Sequence, residues 1–246
     1  MWTAAMWGGI SGSAVLLGAL FALFLNIPKK LVGFIMAFGT GVLIGAATYE
    51  LVGDSVKKGG LEPTLIGFTA GAVVFTTLDW FISKRGGADR KRSRDQDKAK
   101  TADSSGGLGI FIGTVMDAIP ESIMIGASLI TGKGVSMLLV IAIFISNIPE
   151  GLSSTIGLKK GGFSKWKIIG LWASVLVISA LASLGGYFFM DNAGEYITAI
   201  IASFAGGGII AMVASTMMPE AYEEGGPVIG LMAALGLLAS LVLDHL

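Results

Sequence analysis

The chain has 246 residues, 53% of them hydrophobic and 14% charged, well below the charged fraction of about 25% in ordinary soluble domains. Its seventeen basic and seventeen acidic residues cancel, and it contains no cysteine. These values exclude a soluble globular domain, a disulfide scaffold and a thiolate metal site, and they point to a polytopic membrane protein.

Taken in chain order, apolar stretches predict eight spans: 4–26, 31–53, 62–83, 108–131, 135–158, 166–190, 196–219 and 227–245. Each is near the ~20 residues that a ~30 Å hydrocarbon core requires. The opening "MWTAAMWGGISGSAVLLGALFALFL" has no Lys or Arg ahead of its apolar core. A first spanning helix is therefore expected rather than a cleaved signal peptide. Pro28, Pro63 and Pro227 fall in breaks or first turns, where a missing N–H costs least.

The third connection, 84–107, carries eight basic residues and shows no hydrophobic periodicity. It reads as a disordered linker whose charge faces anionic lipid, not nucleic acid. Lys29 and Lys30 lie in the first connection, and Lys159, Lys160, Lys165 and Lys167 lie around the fifth. Only Lys57, Lys58 and Lys133 fall on the other side. The positive-inside rule then places both termini outside.

The sequence also repeats itself. "FGTGVLIGAATYELVGDS" (38–55) aligns without gaps to "FAGGGIIAMVASTMMPEA" (204–221), so Phe38 meets Phe204, Gly41 meets Gly207 and Asp54 meets Glu220. The helices that follow align as well, "IGFTAG" (66–71) with "IGLMAA" (229–234). Because helices two and seven cross in opposite senses, the repeats are inverted. The expected fold is an all-α membrane protein, a single domain with eight transmembrane helices in a 3+2+3 bundle. Repeats 4–83 and 166–246 flank central helices within 108–158. Alternating-access transporters are often built this way, with substrate at the midplane.

The central helices carry the chemistry. "MDAIPESIMIG" (116–126) and "ISNIPEGLSST" (145–155) each place a proline and a carboxylate inside an apolar run. Glu121 is about the fourteenth residue of its span and Glu150 about the sixteenth, so both lie near mid-membrane. An ionised group there costs roughly 3 kcal/mol on insertion scales unless it faces a cavity, a partner or an ion. Asp117 precedes Glu121 by four residues, Ser146 precedes Glu150 by four, and Asn147 precedes it by three, which stacks each set on one helix face. Pro120 and Pro149 withhold their N–H from the carbonyls of Met116 and Ile145 and are expected to bend each helix beside its carboxylate. Convergent oxygens without apolar cover suit a cation. A packing kink with a neutral Glu explains one copy more easily than two.

These two segments, with "MMPEA" (217–221) closing helix seven, resemble the ZIP (Zrt/Irt-like) metal transporters, whose central motifs read HxxPE and HNxPEG. The resemblance covers nearly the whole chain. It implies eight helices, an outside N-terminus, and movement of Zn²⁺, Fe²⁺ or related divalent cations towards the cytoplasm. It also implies a site between helices four and five that is often binuclear. This sequence departs from the pattern, with Asp117 where the family has His, Ala118 where it has Asn, and Ser146 where His or Gln is usual. Ala182 and Ser183 stand near the place of a bridging Glu, and the long connection has no histidine. Residues matching the motif leave Asp117, Glu121 and Glu150 as ligands, with Asn147 and Ser146 as further candidates, for one metal instead of two. An all-oxygen set favours harder ions such as Mn²⁺. Metal entry into clustered carboxylates should release protons.

Acids also mark both ends of the expected path. Glu50 and Asp54 lie at the outer end of helix two, and Glu220, Glu223 and Glu224 at the inner end of helix seven. They could gather cations at the entrance and exit, or they could simply be solvated helix ends. "GTGVLIG" (39–45) lies inside a span and is no nucleotide loop, and His245 beside the C-terminus is expected to be solvated. No HExxH or GxSxG motif is present, so no enzyme and no prosthetic group is expected. The partners expected are membrane lipid and divalent cations, with a homodimer left open. The compact length suits a prokaryotic inner membrane. The rival reading is a metal sensor or scaffold that kept the fold and lost transport.

Overall fold

The computed structural model describes residues 2–84, 104–131, 134–191 and 193–245. Every regular element among them is helical. In order these are α1 (Trp2–Phe24), α2 (Lys29–Ala46), α3 (Asp54–Gly59), α4 (Leu61–Lys84), α5 (Ser104–Ser128), α6 (Met137–Lys160), α7 (Lys165–Met190), α8 (Glu195–Met212), α9 (Met218–Gly225) and α10 (Ile229–Asp244). Seven continuous tracts are long and apolar enough to cross a membrane. The chain is an all-α integral membrane protein.

The last tract, Glu195–Asp244, has 50 residues. Straight, it would be about 75 Å long at 1.5 Å per residue, far more than one bilayer. It reverses at Gly226, whose φ of 69° suits glycine alone among common residues. Gly33 of α2 abuts Ala221 and Gly225, while further along α2 Gly41 meets Ala233 and Gly45 meets Ser240. So α9 descends against α2, and α10 climbs beside it. The loops at Lys29, Lys160–Lys165 and Gly226 share one end of the molecule, the basic face. The turns at Gly60, Gly134 and Gly194 share the opposite face.

Two elements run further than hydropathy suggests. Beyond residue 53, helix two continues through α3 to Gly59, and helix seven continues through α9 to Gly225. Charged side chains mark these ends, as where Lys58 reaches Asp54 at 3.1 Å. Each ends at a glycine with positive φ, Gly60 (94°) and Gly226 (69°). Between core and extension, each helix widens into π-type turns, over Ala47–Gly53 and Val213–Met217. Such widening often marks functional positions. The starts of the widened turns are 166 residues apart, and so are the two glycine stops, the offset that aligns 38–55 with 204–221.

Packing follows the small residues. A Cβ on Gly41 would collide with the Ala233 carbonyl, and one on Gly207 with the Phe68 carbonyl. Gly71 and Gly236 likewise have the carbonyls of Phe204 and Phe38 where a Cβ would sit. Such close backbone approach drives helix association in lipid, where apolar burial alone supplies little. The pairs α2–α10 and α8–α4 thus use aligned glycines on α2 and α8. On the partner helices, however, Phe68 and Gly71 correspond to Ala233 and Gly236, two residues further on than the match of 66–71 with 229–234 places them. The long connection was expected over 84–107, but Lys84 still belongs to α4 and Ser104 already opens α5. Residues 85–103, with most of the basic run, lie outside the described residues, as does Lys133.

Candidate metal centre

The central helices α5 and α6 run through Pro120 and Pro149 without a break in helical structure. Each proline still leaves one carbonyl, Met116 or Ile145, without its usual N–H donor. Around these points Asp117 (6% exposed), Glu121 (3%), Ser146 (1%), Asn147 (5%) and Glu150 (3%) are all buried. The two helices pack on each other. Burying three carboxylates and a carboxamide at mid-span has no rationale in hydrophobic packing, since each costs free energy unless satisfied.

Their settings differ. Asp117, Pro120 and Glu121 line a cavity of about 110 Å³ between α5, α4 and α8, closed elsewhere by Phe75, Phe204, Ala205 and Met212. Ser146 is pressed onto α2, with its Cα 3.1 Å from where a Cβ on Gly39 would sit, and its hydroxyl donates to the Ile143 carbonyl at 3.0 Å. Among the described residues, no three His, Asp or Glu side chains stand close enough together to hold one ion. The candidate ligands therefore share one buried level on two packed helices, without forming a closed cage in this conformation.

Three features escaped the sequence reading. Thr114, one turn from Asp117 and 1% exposed, has a hydroxyl with no hydrogen-bond partner among the described residues. Ser153, one turn beyond Glu150 and fully buried, donates to Glu220 Oε1 at 2.5 Å. Trp172 of α7, also fully buried, donates to Thr155 Oγ1 at 2.7 Å. Thr114 could have been found from its helical spacing to Asp117. The other two depend on partners far away in sequence.

The acids near the ends separate into two kinds. Glu50 and Asp54 border a vestibule of about 400 Å³ on the opposite face, together with Glu195, Asp244, Lys57 and Lys58. Its floor includes Met124 and Leu139, and Met124 lies one turn above Glu121. Glu223 is exposed and Glu224 half-buried near the basic face, as a helix end would have them. Glu220 departs from that expectation, since at 2% exposure it is an interior group held by α6. His245 is exposed, as expected. Ser183, near the place of the bridging Glu, turns its hydroxyl to the Ala4 carbonyl of α1 at 2.7 Å.

No family model matches the chain. It is 25% identical over 228 residues to an Arabidopsis thaliana protein named "Putative zinc transporter", an alignment covering 92% of this chain. The chain spans about a third (35%) of the length of that relative. The similarity agrees with the resemblance seen in the Pro-Glu motifs.

Proposed function

We propose that the protein carries divalent metal cations across a membrane by alternating access, through one oxygen-lined site at the level of Asp117, Glu121, Asn147 and Glu150. Burial of these four side chains at mid-span on two packed helices is the observation that carries the reading. Ser146 and the carbonyls freed by Pro120 and Pro149 supply further oxygens. With Ser183 committed to α1, the reading is one ion, not two. Closing the cavity beside Asp117 would draw the carboxylates together around the ion.

The inverted-repeat reading is supported by the shared 166-residue offset of the widened turns and the glycine stops. It is supported too by the carbonyl–glycine contacts of Gly41 and Gly207. With the basic face cytoplasmic and the termini outside, the vestibule at Glu50 and Asp54 is the outer mouth. Cations then enter by way of this acidic mouth and leave past Glu220, Glu223 and Glu224. No resident cofactor and no enzymatic step are part of this reading. Zn²⁺, Fe²⁺ and Mn²⁺ are candidate substrates, and a prokaryotic inner membrane is the setting proposed.

One observation favours the second reading, a metal sensor or scaffold: no three acidic or imidazole groups are gathered among the described residues. Uptake of Zn²⁺, Fe²⁺, Mn²⁺, Co²⁺ and Cd²⁺ into proteoliposomes separates the two. Saturable flux lost in Glu121→Ala and Glu150→Ala is the result expected of a transporter. Folded, inserted protein with no flux above empty liposomes would reject transport and favour the sensor.

A further inference from the structure

We infer that Ser153 is the bolt of the inner gate. Its hydrogen bond to Glu220 ties α9 to α6 and shuts the way from the central site to the basic face. The bond has to break before a cation can leave. The inference rests on the alternating-access reading above and goes beyond it in naming what holds one end closed.

The position of the bond is the first argument. α6 runs from the opposite face to the basic face, so Ser153 stands one turn inward of Glu150, about 4.5 Å along the helix axis. Glu220 comes from a different element, α9, next to the basic face. Ser153 is fully buried and Glu220 is 2% exposed, so water does not reach the contact. A hydroxyl–carboxylate bond in such a setting is short and among the stronger hydrogen bonds available to side chains. Here it spans 67 residues of sequence.

The second argument comes from the other end of the molecule. The offset of 166 residues that aligns the outer repeats carries Glu220 onto Asp54, and the offset of 29 that aligns the central helices carries Ser153 onto Met124. Asp54 and Met124 both border the outer vestibule. A thioether offers a carboxylate no hydrogen, and Asp54 turns instead to Lys57 and Lys58 on its own helix, at 3.6 and 3.1 Å. The same two places are bolted on the inner side and parted by a cavity on the outer side. The sequence therefore stabilises one end of the cycle over the other: Ser153 favours the outward-facing state.

The chain lacks cysteine, so single reporters can be introduced without background. Ser154→Cys reports on the inner half and Ala127→Cys on the vestibule, each labelled by a membrane-impermeant maleimide added from its own side. With the bolt removed by Ser153→Ala, Ser154→Cys should react about tenfold faster, the equilibrium shift expected for one lost hydrogen bond. Ala127→Cys should react more slowly, because opening one end closes the other. Glu220→Ala should do the same, and Glu220→Gln, whose amide oxygen still accepts from Ser153, should leave both rates within about twofold. Rates that rise at both reporters would mean general loosening, and rates unmoved in Ser153→Ala would mean no bolt. A Glu220→Gln protein as perturbed as Glu220→Ala would assign the effect to charge. Each of these three results overturns the inference. Labelling needs no flux, so its outcome is independent of the uptake assay that tests transport.

Discussion

Asp54 and Glu220 occupy the same place in two stretches of sequence that align without gaps, yet the structure uses them in opposite ways. Asp54 stands at a wide mouth, its side chain 44% exposed and paired with lysines on its own helix. Glu220 is sealed inside, 2% exposed, holding Ser153 on another helix. The backbones around them match closely: both helices widen at aligned positions, and both stop at an aligned glycine with positive φ. The difference lies in what faces each acid across the bundle, and on the proposed transport reading it is the difference expected of one frame holding two gates in different states. The contrast continues at the central helices. Gly39 presses on Ser146, whereas their aligned counterparts Ala205 and Asp117 both line the cavity.

That comparison can be broken or sharpened by substitution. The largest effect belongs to the residues both halves share. Glu121→Ala or Glu150→Ala should weaken metal binding on the order of 100-fold or more, above the ~10–100-fold typical of outer-shell changes, as measured by equilibrium binding in detergent. Next come the aligned glycines. Gly41→Ala and Gly207→Ala each drive a Cβ into a neighbouring carbonyl, so each should cost roughly 1–3 kcal/mol. Thermal unfolding in detergent should show equal losses, and strongly unequal losses would argue against a shared frame. A smaller and asymmetric pair follows. Glu220→Ala should cost about 1–3 kcal/mol by stranding the Ser153 hydroxyl. Asp54→Ala, at an exposed ion pair, should cost less than about 1 kcal/mol. Equal costs at these two positions would contradict the gate comparison.

Much of this is legible in the sequence because lipid imposes simple rules. Apolar length marks the spans, and the gapless match of 38–55 to 204–221 brings Gly41 and Gly207 to aligned positions, although which helices those glycines pack on is shown only by the structure. Carboxylates beside prolines at mid-span are costly in lipid, so Asp117, Glu121 and Glu150 stand out as candidate ligands. What stays hidden does so for physical reasons. Hydropathy ends where charge begins, so the charged extensions to Gly59 and Gly225 fall outside the expected spans. A π-type turn leaves no clear periodic mark in a helix that is apolar all round. The burial of Glu220 depends on Ser153, a partner 67 residues away, and the commitment of Ser183 depends on Ala4 at the far end of the chain. Neither serine differs in sequence from one facing its own helix.

The account stands on the claim that carboxylates of α5 and α6 share one cation, and titration of the purified protein with Mn²⁺ or Zn²⁺ while counting released protons tests it most directly. The account predicts one ion per chain, protons expelled on binding, and affinity that falls on acidification, because metal and protons compete for the same carboxylate oxygens. Glu121→Gln and Glu150→Gln should each abolish the signal. Two ions per chain, binding indifferent to pH, or binding that survives both substitutions would contradict it.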